Sequence, residues 1–181
     1  MNHADVEKVL ISEEEIKEIC KRLGKQISED YKDKNLVLLC ILKGSIMFCA
    51  ELMKKVELPV ELEFMRASSY GASSVSSGVI KIQLDIKRED LSTSDFLIVE
   101  DIIDSGRTLS HLVTYLKERG ARSVKTCTLL DKPSRRVIDL VPDYSGCQIP
   151  DEFVVGFGLD YDEKYRNLPY VAVLKREVYG G

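Results

Sequence analysis

Long apolar runs are missing from this chain of 181 residues. None approaches the roughly 20 consecutive apolar residues needed to span a bilayer, and the N-terminal stretch lacks the apolar core of a signal peptide. A cytoplasmic protein with no membrane partner is the expectation. Histidine is scarce: His3 and His111 are too few and too separate for a metal pair or a catalytic triad. Cysteine has no pattern either. Cys20, Cys40, Cys49, Cys127 and Cys147 are odd in number, widely spaced and mostly set among apolar residues, which suits reduced core thiols better than a disulfide framework or a zinc site. An excess of positive charge is absent as well. The net charge of -4 and pI near 5.4 argue against a protein built mainly to neutralise nucleic-acid phosphates. No internal repeat, low-complexity tail or linker interrupts the chain, and its length suits one domain, 1–181, with a sizeable core.

What is there concentrates between residues 96 and 109. The apolar run Phe96-Leu97-Ile98-Val99 predicts a strand buried on both faces, ending in two adjacent acids, Glu100 and Asp101. A tight turn through Asp104, Ser105 and Gly106 follows. Leu109, Leu112, Val113 and Leu116 then recur at helical spacing as far as Arg119, where Gly120 stops the helix. A helix that starts just after a glycine turn offers free N–H groups and its positive dipole end to an anion, and the hydroxyls of Ser105 and Thr108 add donors. The acids, acceptor-only when ionised, suit vicinal sugar hydroxyls. Sugar and phosphate together suggest a phosphorylated ribose. Taken singly, the acids also read as a solvated strand end, and Asp104 as a helix cap.

The rest of the sequence frames this unit. Ser12 and Glu15 form a capping-box pattern before an amphipathic helix through Ile16, Cys20, Leu23, Ile27 and Tyr31. Leu36 to Leu42 predicts a buried strand, followed by Lys43-Gly44-Ser45 and a helical stretch to about Lys55. Val60 to Phe64 and Ile80 to Lys87 alternate in the manner of half-exposed antiparallel strands. Between them, Ser68 to Gly78 is rich in serine and too polar to pack a core. Ser123 to Leu130 completes a right-handed βαβ unit with the site strand and its helix, and Phe153 to Phe157 and Tyr170 to Leu174 read as later strands. The fold class inferred is α/β: three layers, a mostly parallel central sheet with helices on both faces, and the ligand at the carboxyl ends of the strands.

Glu100-Asp101-Ile102-Ile103-Asp104-Ser105-Gly106-Arg107-Thr108 closely resembles the phosphoribosyl-diphosphate signature of the type I phosphoribosyltransferases, in the form found in the hypoxanthine-guanine group. Ser105 stands where the family usually has Thr, which keeps the hydroxyl. The resemblance runs from about Leu36 to Lys175. It implies the type I fold with a small hood, built from the N-terminal residues and the segment after Asp143, and a homodimer or homotetramer. It also implies Mg²⁺-dependent purine salvage, in which the 5-phosphoribosyl group passes from phosphoribosyl diphosphate to a 6-oxopurine, hypoxanthine or guanine, giving IMP or GMP and pyrophosphate.

The resemblance assigns roles residue by residue. Glu100 and Asp101 hold the ribose hydroxyls and contact magnesium directly or through water, while Ser105, Gly106, Arg107 and Thr108 hold the 5-phosphate. Lys43 and Gly44 belong to the pyrophosphate loop, where relatives can have a cis peptide at the positions of Leu42 and Lys43, and Arg166 reaches the same diphosphate. Asp160 matches a metal contact. Asp104 meets N7 of the purine as general base, Lys132 donates to the 6-oxo group, Phe153 stacks on the ring and the Val154 backbone reads its edge. Ser69 and Tyr70 match the pair in the flexible loop that closes over the reacting ribose. Without the family, Lys43, Lys132 and Arg166 read as ordinary surface cations and Phe153 as core. A regulator that keeps this fold and senses phosphoribosyl diphosphate while binding RNA or DNA is the rival reading; retention of Asp104, Lys132, Phe153 and Asp160 and the negative charge speak against it.

Overall fold

The computed structural model describes residues 4–69 and 80–180. Its frame follows from strands that are apolar at every position. In β2 (Leu36–Ile41) all six residues are buried, Leu36, Leu38 and Cys40 toward one face and Val37, Leu39 and Ile41 toward the other. β5 (Asp95–Ile103) does the same, with Phe96, Leu97, Ile98 and Val99 fully buried. Two apolar faces demand two covering layers. On one side lie α1 (Glu13–Asp30) and α2 (Ile46–Met53), and on the other α3 (Arg107–Glu118).

The central sheet has six strands in the order β4-β3-β2-β5-β6-β7, with β3 at Glu61–Ser69, β4 at Ile80–Leu84, β6 at Ser123–Asp131 and β7 at Tyr144–Gln148. β3, β2, β5, β6 and β7 run parallel, and only β4 is antiparallel, paired with β3. The predicted alternating strands are therefore half right, because β3 joins the parallel core on its other edge. A second sheet, β1-β9-β8, forms the hood from Val6–Ile11, Val171–Leu174 and Val154–Val155.

Local chemistry explains several boundaries. Ser12 caps α1 in a reciprocal box with Glu15, whose carboxylate accepts the Ser12 N–H at 2.7 Å. Gly120, at φ 88°, ends α3 with its N–H on the Lys117 carbonyl while the Ala121 N–H reaches Leu116, a Schellman arrangement. Two expectations need correction. The hood does not begin after Asp143, since Tyr144–Gln148 extends the central sheet beside β6. Nor does a strand run from Phe153 to Phe157: it covers Val154–Val155 only, because Gly156, Phe157 and Gly158 all adopt positive φ and turn the chain away. All five cysteines are free, and all but Cys147 are buried.

Candidate functional site

The carboxyl ends of β2, β3 and β5 open into a cleft of about 370 Å³, lined by Leu42, Gly44, Ser68, the run from Glu100 to Gly106, and Thr108. Parallel strands bring these segments together because every one of them exits its strand on the same sheet edge. The turn from Asp104 to Thr108 behaves as its composition dictates. Gly106 sits at φ 81° as the N-cap of α3 and has no side chain to offer the first helical turn. The N–H groups that a capping side chain would take stay available to an anion at the cleft. Asp104 precedes the cap by two residues, so the helix-cap reading of that residue is excluded. Arg107, the first residue of α3, also lines a separate hollow with Ser110, His111 and Ile138.

Glu100 and Asp101 form the floor. Burial is the first cause that pushes both carboxyls above the ordinary range; for Glu100 the adjacent Asp101 charge adds to it. The Ile102 N–H, 2.8 Å from Asp101 Oδ1, opposes that rise in Asp101. Two acids held together at this cost are a ready partner for a divalent cation.

Two close approaches at the site depend on missing side chains. A Cβ on Gly44 would overlap the Asp101 carboxylate, and one on Gly158 would overlap the Gly44 carbonyl. Asp101, Gly44 and Gly158 are thus stacked in direct contact, joining β5, the loop after β2 and the hood. The Leu42–Lys43 peptide is cis. Lys43 Nζ lies 2.8 Å from Glu163, and the Arg166 guanidinium donates to the Gly158 carbonyl at 2.8 Å and pairs with Asp160 at 2.9 Å. Lys43, Asp160 and Arg166, spread over more than a hundred residues of sequence, therefore share one rim of the site.

Beyond the end of β5, Lys132 is buried and donates to the Glu152 carbonyl at 2.7 Å, beside Phe153 and Val154. Its own N–H bonds the Ile103 carbonyl, which fixes it against the end of β5. Phe153 is 38% exposed and Val154 is buried in β8. Ser69 ends β3 through its backbone, whereas Tyr70, the other half of the expected lid pair, lies outside the described residues.

The segment from Arg135 to Ile138 escaped sequence reasoning. Arg136 donates to the Asp104 carbonyl at 3.0 Å, to the Leu140 carbonyl and to the Asp131 carboxylate, clamping the phosphate turn from behind. The Val137 and Ile138 N–H groups add two bonds to the Ser105 carbonyl. Arg135 sits 3.6 Å from the Asp104 carboxylate and 3.4 Å from Asp151. No local pattern marks these residues, since each acts on a partner far along the chain.

Such a cleft sets an acid pair beside an uncapped helix start, donors and acceptors that suit a phosphorylated sugar. The family model for the phosphoribosyl transferase domain matches residues 10–162, and the chain belongs to the phosphoribosyltransferase family. Among its relatives, the hypoxanthine-guanine phosphoribosyltransferase of Streptococcus thermophilus is 51% identical over 99% of both chains. A crystal structure of the hypoxanthine phosphoribosyltransferase of Staphylococcus aureus superposes with a TM-score of 0.95 at 46% identity, covering 99% of this chain and 97% of that one. The Trypanosoma cruzi hypoxanthine phosphoribosyltransferase, solved with the product IMP, gives a TM-score of 0.91 at 40% identity, covering 99% of this chain and all of the other.

Proposed function

We propose that this protein, acting as a single phosphoribosyltransferase domain over residues 1–181, transfers the 5-phosphoribosyl group of phosphoribosyl diphosphate to N9 of hypoxanthine or guanine. The products are IMP or GMP and pyrophosphate. The observation that carries the reading is the convergence of the Glu100-Asp101 pair, the uncapped start of α3 and Asp104 in one cleft, with buried Lys132 on its rim.

Each residue then has a physical task. The 5-phosphate lies on the N–H groups after Gly106 and the hydroxyls of Ser105 and Thr108, while the ribose hydroxyls donate to Glu100 and Asp101. Breaking the bond from C1 of the ribose to diphosphate builds positive charge on the sugar and negative charge on the leaving group. Lys43, the Gly44 backbone and Arg166 meet the latter. Asp104 accepts the N7 proton as N9 attacks, a general-base contribution typically of about 10²- to 10⁴-fold. Lys132 donates to the 6-oxo group, Phe153 stacks on the ring, and the backbone at Val154 reads its edge. Ser69 and Tyr70 belong to the loop that shields the ribose from water.

Magnesium suits this donor set. Among the described residues, no cluster of three or more metal-ligating side chains forms. A cation that arrives on diphosphate and keeps most of its waters needs only one or two carboxylates. Glu100 and Asp101 would hold it, with Asp160 as a further contact, and when bound it neutralises charge on the diphosphate.

A homodimer or homotetramer in the cytoplasm completes the reading. Leu62 and Phe64 pair in register with Leu38 and Cys40 and so share the α1/α2 face, yet both stay exposed, as does Ile46 at the start of α2. A second copy would cover them. Among the described residues no helix is long and apolar enough to cross a membrane.

The deciding experiment supplies phosphoribosyl diphosphate and Mg²⁺ with hypoxanthine, guanine, xanthine or adenine, for the native protein and Asp104→Asn. Turnover of hypoxanthine or guanine, reduced at least about 10²-fold in the variant, is expected. Absence of turnover with every base, while phosphoribosyl diphosphate still binds, would overturn the proposal.

A further inference from the structure

Phe153 is an exposed aromatic just before β8. Its ring is nevertheless held from two directions. Tyr179, in the short C-terminal helix α4 (Arg176–Tyr179), stacks on one face with centroids 4.6 Å apart and planes 19° from parallel. Tyr161 meets the ring edge-on at 5.6 Å and 88°. The backbone fixes this arrangement. The Leu174 N–H bonds the Phe153 carbonyl at 3.2 Å, and the Lys175 N–H bonds the Asp5 carbonyl at 3.0 Å, so α4 leaves β9 directly beside Phe153.

We infer that Tyr179 is a positioning residue for the purine: it backs one face of Phe153 and leaves the other face as the stacking platform for the base. The inference rests on the 6-oxopurine reading of the site. A lone exposed phenyl ring samples several rotamers and must be ordered when the base binds; a ring already clamped by a parallel and an edge-on neighbour is spared that cost. Offset-parallel stacking continued through three rings, Tyr179, Phe153 and purine, keeps each pair in a favourable geometry. Tyr179 does not touch the base, so its influence falls on base affinity and not on the bond-making step. Its ring matters for this and its hydroxyl does not.

The test compares the native protein with Tyr179→Ala, Tyr179→Leu and Tyr179→Phe, reading KM for guanine, KM for phosphoribosyl diphosphate, kcat, and the Kd of GMP by calorimetry. Expected for Ala and Leu is a rise of about three- to tenfold in guanine KM and GMP Kd. kcat and the other KM should stay within about twofold, and Phe should restore the native values. Unchanged guanine KM in both Ala and Leu would overturn the inference. So would a lowered one, which would mean that Tyr179 occupies the place of the base, and so would failure of Phe to rescue. Tyr179→Leu keeps apolar cover over the site should Ala unfold the C-terminal turn. A native protein that turns over no 6-oxopurine breaks the proposed function itself; an active native protein with indifferent Tyr179 variants breaks this inference alone.

Discussion

Glu163 and Lys43 form an ion pair of 2.8 Å across 120 residues of sequence, and the same carboxylate lies 3.4 Å from Arg166. The Lys43 hydrogen bond is the main reason that the Glu163 carboxyl is held below its usual range. The two cations assigned to the diphosphate are thus already paired inside the protein, Lys43 with Glu163 and Arg166 with both Asp160 and Glu163, and diphosphate has to compete with these anions. Glu163→Gln should lower KM for phosphoribosyl diphosphate. Because the pair is exposed to solvent, the gain is modest, between about one and a half and fivefold, and shrinks at high salt. Steady-state kinetics at low and high ionic strength check it; a raised KM would show that Glu163 helps to bind the substrate.

Glu100→Gln should separate stability from function. Burial and the Asp101 charge raise the Glu100 carboxyl, so ionising it works against the substrate-free fold. Removing the charge is expected to raise the melting temperature of the substrate-free protein by roughly 2–4 °C for each kcal/mol recovered. Affinity for magnesium phosphoribosyl diphosphate should fall by about tenfold or more, as charged hydrogen bonds to the ribose are lost. Thermal melts and calorimetry read the two effects independently.

Asp95 carries the opposite sign. Its burial alone would raise its carboxyl, but hydrogen bonds from Arg122 and from Ser123 Oγ at 2.6 Å outweigh burial and hold it below the ordinary value. A lowered folded-state pKa adds stability above the unfolded value of about 3.9, and that stability is lost as pH falls through the folded value. Asp95→Asn should therefore cost about 1–3 kcal/mol at pH 7. The gap between variant and native protein should close below about pH 4. Denaturant melts at pH 7 and pH 3 measure it.

Gly158→Ala should damage both the fold and the site. Its φ of 101° strains any L side chain, and the new Cβ would strike the Gly44 carbonyl rather than a side chain able to swing away. A loss of about 1–3 kcal/mol is expected, with a raised KM for phosphoribosyl diphosphate as Gly44 is displaced. Gly120→Ala is the control. It has a similar φ of 88° but open space around it, so it should lose stability while KM stays unchanged.

Sequence reading was strongest where the physics is short-ranged. The capping box at Ser12 and Glu15, the two-faced strands Leu36–Ile41 and Asp95–Ile103, and the phosphate turn from Asp104 to Thr108 all depend on neighbours within a few residues. Reading weakened wherever pairing was remote. β1 and β7 were missed because their burial patterns are irregular, and the partner of β1 lies at the far end of the chain, in β9. The strand expected over Phe153 to Phe157 failed because an apolar run does not reveal the positive φ of Gly156, Phe157 and Gly158.

By itself, then, the sequence determined the local pieces of the cleft: which strand ends in carboxylates and which glycine turn opens a helix. Only the tertiary structure decided how those pieces face one another. Arg136 behind Asp104, Glu163 against Lys43 and Tyr179 on Phe153 are contacts between segments from different parts of the chain. Hydrophobic periodicity is set residue by residue along the chain. Contacts of this kind exist only after the sheet has packed and brought its strand ends to one edge.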